Sequence, residues 1–168
     1  MSASAIPGRP DSSALLVAKL AAKGLTIAVA ESLTGGLLTA ELVRPPGASA
    51  VLLGGVIAYN TALKGTMLGV DQALLDEHGP VHAKVAEQMA SNVRERLAVN
   101  GRPADVGLAT TGVAGPDPQG TTLPGTVFIG IAVGDTVEAI ELHLEGTRDQ
   151  IRATVVSEAI AALAGRLR

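Results

Sequence analysis

Cysteine is absent from the 168 residues, and large aromatic residues are scarce, with one Phe, one Tyr and no Trp. Without cysteine the chain can form no disulfide and no thiolate metal site, as is usual for intracellular proteins. Ala, Val, Leu, Ile and 20 glycines must fill the interior, which favours closely packed layers of helix on sheet. The lack of rings also argues against binding of single-stranded nucleic acid, whose bases stack on aromatic side chains.

Positive charge and long hydrophobic runs are also lacking. The net charge is −3 and no basic stripe is visible, so we expect no nucleic-acid partner. No apolar run reaches the roughly 18 residues of a membrane span, and the start of the chain does not resemble a signal peptide. We therefore expect a cytoplasmic protein without a membrane partner. Residues 1–10 predict a flexible tail, and residues 11–168 a single domain.

The pattern of apolar residues predicts an α/β fold. Strands are predicted for the apolar runs at 25–30, 51–59, 105–112, 126–133 and 137–144, the last two joined by a hairpin at Gly134 and Asp135. Helices are predicted before Gly24 and over 34–43, 61–68, 71–77, 82–98 and 147–167. This order predicts a three-layer α/β/α domain with a mixed, mostly parallel sheet and one C-terminal hairpin.

The stretch AESLTGG places Ser32 where a buried strand passes directly into a predicted helix. Ligands of open α/β sheets collect at the carboxyl ends of strands. Free N–H groups near Thr34, Gly35 and Gly36 would hold an oxyanion or a phosphate there. Ser32 is therefore a candidate nucleophile. The alternative is that Ser32 or Thr34 caps the helix and the glycines make a turn.

The stretch AYNTALK supplies a candidate base. Tyr59 ends the second strand and Lys64 follows five residues later, at the start of a short helix. A serine hydroxyl needs a base, and a lysine serves when desolvation or nearby positive charge lowers its pKa. The alternative is a solvated lysine on the helix surface. His82 is a second candidate base, in a triad with an unidentified acid.

Polar residues and glycines also follow the third strand, in TTGVAGPDPQG. Thr111 ends the strand, and Gly112 and Gly115 would expose backbone N–H groups that could line an anion or ring site. The spacing matches neither a P-loop nor the dinucleotide fingerprint. The alternative is an ordinary glycine-rich turn.

The stretch GTRDQIR begins the last predicted helix with a cation, Arg148. A cation at a helix N-terminus opposes the helix dipole, so Arg148 is a candidate ligand for a carboxylate or phosphate. The alternative is a surface ion pair with Asp149, Glu145 or Glu141. The three histidines show no metal-ligand spacing, and we expect no metal site.

Together these stretches resemble the C-terminal domain of the CinA (competence/damage-inducible protein) family, whose stand-alone relatives are nicotinamide-nucleotide amidases. The similarity runs from about residue 11 to the C-terminus and is carried by AESLTGG, GASAVLLGGVIAYNTALK, MLGV, EHGPV, TGVAGP, GTVFI and GTRDQIR. The chain departs from the family at Leu33, where relatives often carry a small residue, and at His82, where a serine is common.

The resemblance implies hydrolysis of nicotinamide mononucleotide to nicotinic acid mononucleotide and ammonia, with no metal or nucleotide cofactor. It implies that Ser32 is the nucleophile and Lys64 the general base, with Tyr59, Thr111 and Arg148 as supporting polar residues. A non-catalytic pyridine-nucleotide-binding module and a regulatory partner protein stay open as alternatives. We also expect a homodimer, because a small domain rich in Ala and Val can bury an apolar face by self-association.

Overall fold

A mixed five-stranded sheet organises the chain, and the computed structural model describes residues 11–167. The strands are β1 (Ile27–Glu31), β2 (Leu52–Ile57), β3 (Val106–Gly112), β4 (Thr126–Val133) and β5 (Thr136–His143). Their order in the sheet is β2-β1-β3-β4-β5. β1 is parallel to β2 and β3, whereas β4 is antiparallel to both of its neighbours. All strands except β4 therefore point the same way.

Helices cover both faces of this sheet. They are α1 (Ser12–Lys23), α2 (Leu37–Val43), α3 (Thr61–Thr66), α4 (Gln72–His78), α5 (Ala83–Arg96) and α6 (Arg148–Arg166). α1, α2 and α6 pack on one face, whereas α4 and α5 pack on the other. The predicted three-layer α/β/α domain with a mixed sheet and a C-terminal hairpin is confirmed. The predicted tail at residues 1–10 lies outside the described residues.

The two faces of the sheet are filled differently, because successive residues of a strand point to opposite faces. The face under α1, α2 and α6 carries branched side chains, including Ile27, Val29 and Leu108. The face under α5 carries mainly alanines, including Ala28, Ala30, Ala109 and Ala132. There a Cβ added at Gly107 or Gly130 would collide with the carbonyl groups of α5. α5 therefore lies very close to the sheet, and the core fills without large rings.

The strand register brings three carboxyl ends together at one edge of the sheet. Glu31, the last residue of β1, pairs with Ile57 of β2 and with Thr110 of β3. The residues that follow each strand are therefore neighbours in space, although they lie far apart in the sequence. The second helix was predicted to begin at Thr34, but α2 begins only at Leu37. Residues 33–36 form turns instead, and these turns carry the residues after Ser32.

Candidate active site

Ser32 and Lys64 meet at the carboxyl end of β1. Lys64 Nζ lies 2.9 Å from Ser32 Oγ and donates a second hydrogen bond, of 3.0 Å, to the carbonyl oxygen of Ala58. Ala58 follows β2, and its own N–H donates to the carbonyl of Glu31, so the two strand ends hold the serine and the lysine in register. The structure therefore joins the predicted nucleophile and the predicted base in one hydrogen bond.

Lys64 is buried, with 1% of its surface exposed. No carboxylate in the described part of the chain pairs with it. Burial without a counter-charge disfavours the ammonium form, and it lowers the pKa of Lys64 from 10.5 to about 8. The alternative of a solvated surface lysine is therefore wrong. With this pKa about a tenth of Lys64 is neutral at pH 7 and about half at pH 8, and the neutral amine can accept a proton.

Glu31, directly before Ser32, fixes the turn that follows the serine. Its carboxylate is completely buried. It accepts hydrogen bonds from the N–H groups of Gly36, Leu38 and Thr39 and from the Thr39 hydroxyl. A buried carboxylate thus caps α2 from a distance, and neither Ser32 nor Thr34 makes a side-chain cap. Sequence reasoning missed this role, because the acceptor lies five residues before the first donor.

The glycines of the turn adopt left-handed backbone conformations and do not offer the N–H groups that were predicted. Gly35 has φ +59° and Gly36 has φ +100°, values that L side chains rarely adopt. The Gly35 N–H donates to the carbonyl of Ser32, and the Gly36 N–H donates to Glu31. The prediction that these N–H groups hold an oxyanion is therefore wrong, since internal acceptors occupy both.

Two other N–H groups beside the nucleophile are available. Those of Leu33 and Thr34 donate to no acceptor within residues 11–167. Both belong to the residues that directly follow Ser32. Leu33 also lines the pocket beside the serine, whereas Thr34 is completely buried, so the Leu33 N–H is the free donor that a negatively charged oxygen can reach.

The hydroxyls of two predicted site residues, Thr34 and Thr111, bond to other protein groups. The Thr34 hydroxyl lies 2.8 Å from the Thr110 hydroxyl, and both residues are fully buried. The Thr111 hydroxyl donates to the carbonyl of Pro80 at 2.7 Å. Thr111 thereby ties β3 to the segment before α5. Both hydroxyls are therefore bonded within the protein, and the roles of Thr34 and Thr111 at the substrate stay predictions.

A pocket of about 280 Å³ opens beside Ser32. The predicted residues Ser32, Tyr59, Gly112, Gly115 and Arg148 line it, whereas Lys64 lies behind the serine and Thr34, Gly35, Gly36 and Thr111 do not reach it. Asp117 and Gln119 also line the pocket. Neither side chain has a hydrogen bond or an ion pair within residues 11–167. Sequence reasoning missed both, although they lie inside the glycine-rich stretch after β3.

Arg148 places a positive charge at the rim of this pocket. Its guanidinium donates to the carbonyl oxygen of Gly115 at 2.8 Å and to the hydroxyl of Tyr59 at 2.9 Å. The alternative of a surface ion pair is not what the structure shows, since Asp149 pairs with Arg152 and Glu141 with His143. No carboxylate in the described chain neutralises Arg148. An anionic group of a ligand can therefore bind to it.

The two positions that depart from the family pattern have structural roles. Leu33 is buried against Ala114 and lines the pocket. His82 caps α5, its Nδ1 accepting from the Lys84 N–H at 3.2 Å, and its ring stacks on His78. The alternative that His82 is the base for Ser32 is wrong, since Lys64 holds that position.

Within residues 11–167, no three His, Asp or Glu side chains cluster as metal ligands would. In the same part of the chain, no helix combines the length and the apolar character needed to traverse a lipid bilayer.

The fold and the site define an α/β protein with a buried serine–lysine pair at the carboxyl end of its first strand. A family model described as the CinA C-terminal domain matches residues 11–167. The chain therefore belongs to the CinA C-terminal domain family. A "CinA-like protein" of Frankia casuarinae is 45% identical over 141 residues, which cover 84% of this chain and 31% of that relative. The chain thus spans less than a third of the length of the curated relatives it matches.

Solved structures agree with the family assignment. A CinA superfamily protein from Klebsiella pneumoniae has a TM-score of 0.88 at 26% identity, covering 94% of this chain and 96% of that one. The competence/damage inducible protein CihA from Agrobacterium tumefaciens has a TM-score of 0.84 at 30% identity, covering 96% of this chain and 98% of that one. The α/β fold described above is therefore shared with these proteins over nearly their whole length.

Proposed function

We propose that this protein is an amidohydrolase that converts nicotinamide mononucleotide to nicotinic acid mononucleotide and ammonia by a serine–lysine mechanism. One observation carries the chemistry: a buried, unpaired lysine lies 2.9 Å from a serine that lines an open pocket. The resemblance of the sequence motifs to the nicotinamide-nucleotide amidases supplies the substrate. A pocket of about 280 Å³ with an unpaired arginine at its rim suits a small, anionic ligand.

The proposed first step forms an acyl-enzyme. Neutral Lys64 accepts the proton of Ser32 while Oγ attacks the carboxamide carbon, and the carbonyl electron pair moves onto oxygen. When the tetrahedral intermediate collapses, the C–N bond breaks, and the Lys64 ammonium gives its proton to the departing NH₂ group, which leaves as ammonia. Lys64 then takes a proton from water, the hydroxide adds to the acyl carbon, and Ser32 leaves with that proton. The carboxylate product is released.

The developing oxyanion needs donors aimed at it before the reaction starts. The N–H group of Leu33 is the candidate, because Leu33 lines the pocket, whereas Thr34 is completely buried and the N–H groups of Gly35, Gly36 and Leu38 already have acceptors inside the protein. This assigns the oxyanion to the turn after Ser32 rather than to the first turn of α2.

The remainder of the substrate would lie along the pocket. Arg148, held by Gly115 and Tyr59, is the proposed phosphate ligand. Gly112 and Gly115 would let the nucleotide approach the backbone closely. In this proposal Tyr59 orients Arg148, because its hydroxyl contacts that guanidinium and is 2.9 Å from it.

The direct test measures ammonia and acid product from purified protein incubated with nicotinamide mononucleotide. Ser32→Ala and Lys64→Ala should each lower turnover by several powers of ten. Lys84→Ala is the matched control, since Lys84 is an exposed lysine paired only with Glu87, and it should keep full activity. Near-wild-type turnover in either site variant would exclude the mechanism. Thermal stabilisation by the nucleotide without any product would instead favour the non-catalytic binding module.

A separate measurement tests the proposed homodimer. Several apolar side chains are more than 40% exposed on and near the edge strand β2, namely Leu37, Ile57, Tyr59 and Met67. Light scattering coupled to size exclusion should give twice the 16.9 kDa chain mass. A single-chain mass at micromolar concentration would exclude the dimer.

A further inference from the structure

Arg152, on α6, binds the backbone of the turn that follows Ser32. Its Nε donates to the carbonyl of Leu33 at 3.0 Å, and its Nη2 donates to the carbonyl of Thr34 at 3.1 Å. The side chain is three-quarters buried, with 25% exposed. We infer that Arg152 is a positioning residue for the oxyanion site: by holding these two carbonyls it fixes the turn after Ser32 and, through that turn, the free Leu33 N–H beside the nucleophile. This inference rests on the proposed function.

Peptide geometry links the arginine to the free donors. In a planar trans peptide the C=O and the following N–H point in opposite directions. Arg152 fixes the Leu33 carbonyl, so the Thr34 N–H points away from the guanidinium. In the preceding peptide the Gly35 N–H holds the Ser32 carbonyl, so the Leu33 N–H is fixed in the same manner. Each free N–H thus sits opposite a carbonyl that already has a donor.

A charged donor on the carbonyl also strengthens the N–H of the same peptide, because hydrogen bonds in a chain polarise one another. A guanidinium hydrogen bond is stronger than a neutral one. Arg152 donates to the Thr34 carbonyl, and the Gly35 N–H of that peptide donates to the Ser32 carbonyl. The Leu33 N–H, which belongs to the peptide of that last carbonyl, is therefore a better donor to a negative oxygen while Arg152 is in place. Its effect should be larger in the transition state than in the substrate complex, since the oxygen carries its full charge only there.

Two other interpretations of Arg152 can be separated from this one. The first is an ion pair, since Nη1 lies 3.6 Å from Asp149. Asp149 is 91% exposed, and such a pair contributes little. The second is a purely structural clamp between α6 and the turn. Arg94 provides the comparison, because it also donates to two backbone carbonyls, those of Ala104 and Gly134, both at 2.8 Å, from α5.

The experiment compares Arg152→Ala with Arg94→Ala and Asp149→Asn in steady-state kinetics on nicotinamide mononucleotide and in thermal unfolding. Arg152→Ala should lower kcat at least tenfold and change KM less than threefold. Arg94→Ala should lower the melting temperature by about as much as Arg152→Ala does, but it should keep the wild-type kcat. Asp149→Asn should change neither. Low-millimolar guanidinium should restore several-fold activity to Arg152→Ala and leave the wild type unaffected. Arg152→Lys, which keeps the cation, covers the case that the alanine variant does not fold and should lose kcat several-fold.

Labelling of Ser32 by a fluorophosphonate, followed by intact mass, separates the two proposals. Wild-type protein that neither reacts with this probe nor releases ammonia would overturn the proposed function. Wild-type protein that reacts, with Arg152→Ala reacting at the same rate, would overturn the positioning role alone. An Arg152→Ala variant whose kcat equals that of Arg94→Ala would also overturn it.

Discussion

The two walls of the pocket are built in opposite ways. The wall formed by Ser32 and Leu33 is largely buried, and the turn behind it is held by the carboxylate of Glu31 and the hydroxyl of Thr34, which are bonded within the protein. The facing loop, residues 113–125, carries Asp117 and Gln119, which are exposed and have no partner within residues 11–167. A fixed wall suits the chemical step, because catalytic donors must be aimed before the reaction. A loop with unpaired polar side chains suits selection of the ligand.

Removal of the base from the fixed wall should have the largest effect. Lys64→Met keeps the length of the side chain and removes the amine, so kcat should fall by about 10² to 10⁴, the usual contribution of a positioned base. The measurement is ammonia release from nicotinamide mononucleotide at pH 8, with melting temperature as the check on folding. A folded Lys64→Met protein with wild-type kcat would show that Lys64 is not the base in the chemical step.

Removal of Arg148, the unpaired cation at the rim, should weaken substrate binding and leave the rate of the chemical step largely unchanged. Arg148→Ala should raise KM by about 10- to 100-fold, since a hydrogen bond to a charged group contributes about 1.5–3 kcal/mol. The measurement compares kcat and KM. Arg166→Ala is the control. Arg166 lies at the C-terminal end of α6, far along the helix from Arg148, and is a partly exposed arginine paired with Glu138 of β5. An Arg148→Ala protein with unchanged KM would contradict a phosphate site at the rim.

A neutral replacement of Glu31 should show how much the fixed wall depends on its carboxylate. Glu31→Gln keeps the shape of the side chain. One carboxylate oxygen becomes an NH₂ group, however, which cannot accept hydrogen bonds from the N–H groups of the turn and of α2. We expect the free energy of unfolding to fall by about 1–3 kcal/mol. Urea unfolding measures this loss, and the exposed Glu95→Gln on α5 should change stability by less than about 0.5 kcal/mol. Equal stability of the two variants would contradict the fixed wall.

The smallest effect is expected on the facing loop. Asp117→Asn should change KM for nicotinamide mononucleotide by only a few-fold, about 1 kcal/mol, because the group is exposed and works by contact with the ligand. The melting temperature should stay the same, since no group in residues 11–167 depends on this carboxylate. Kinetics and thermal unfolding of the variant test both points. A large loss of stability without any change in KM would mean that the loop is the fixed element instead.

The layer architecture could be predicted from the sequence because it depends on local patterns. A few neighbouring residues are enough to predict a buried strand such as 105–112, or a helix end such as those at Gly24 and Pro45. Ser32 and Lys64 were candidates because strand ends meet at one edge of the sheet, and the resemblance to the CinA C-terminal domain family implied that they act together as nucleophile and base.

The hydrogen-bond partners of the fixed wall could not be predicted in this way. Thr34 and Thr111 carry hydroxyls in a candidate site, and only the folded chain shows that Thr110 and Pro80 occupy them. Glu31 and Arg152 reach the turn from five and from 118 residues away. No spacing rule joins a carboxylate or a guanidinium to backbone groups at those separations, so the donors that remain free could be found only from coordinates.

The central claim is that neutral Lys64 takes the proton of Ser32, and the pH dependence of kcat/KM tests it most directly. The pKa of Lys64 is lowered to about 8, and only the deprotonated amine accepts a proton. kcat/KM should therefore rise about tenfold per pH unit at low pH and level off above about 8. This limb should be absent from the residual activity of Lys64→Met. A rate that stays constant from pH 6 to 9.5, or an unchanged limb in Lys64→Met, would contradict the account.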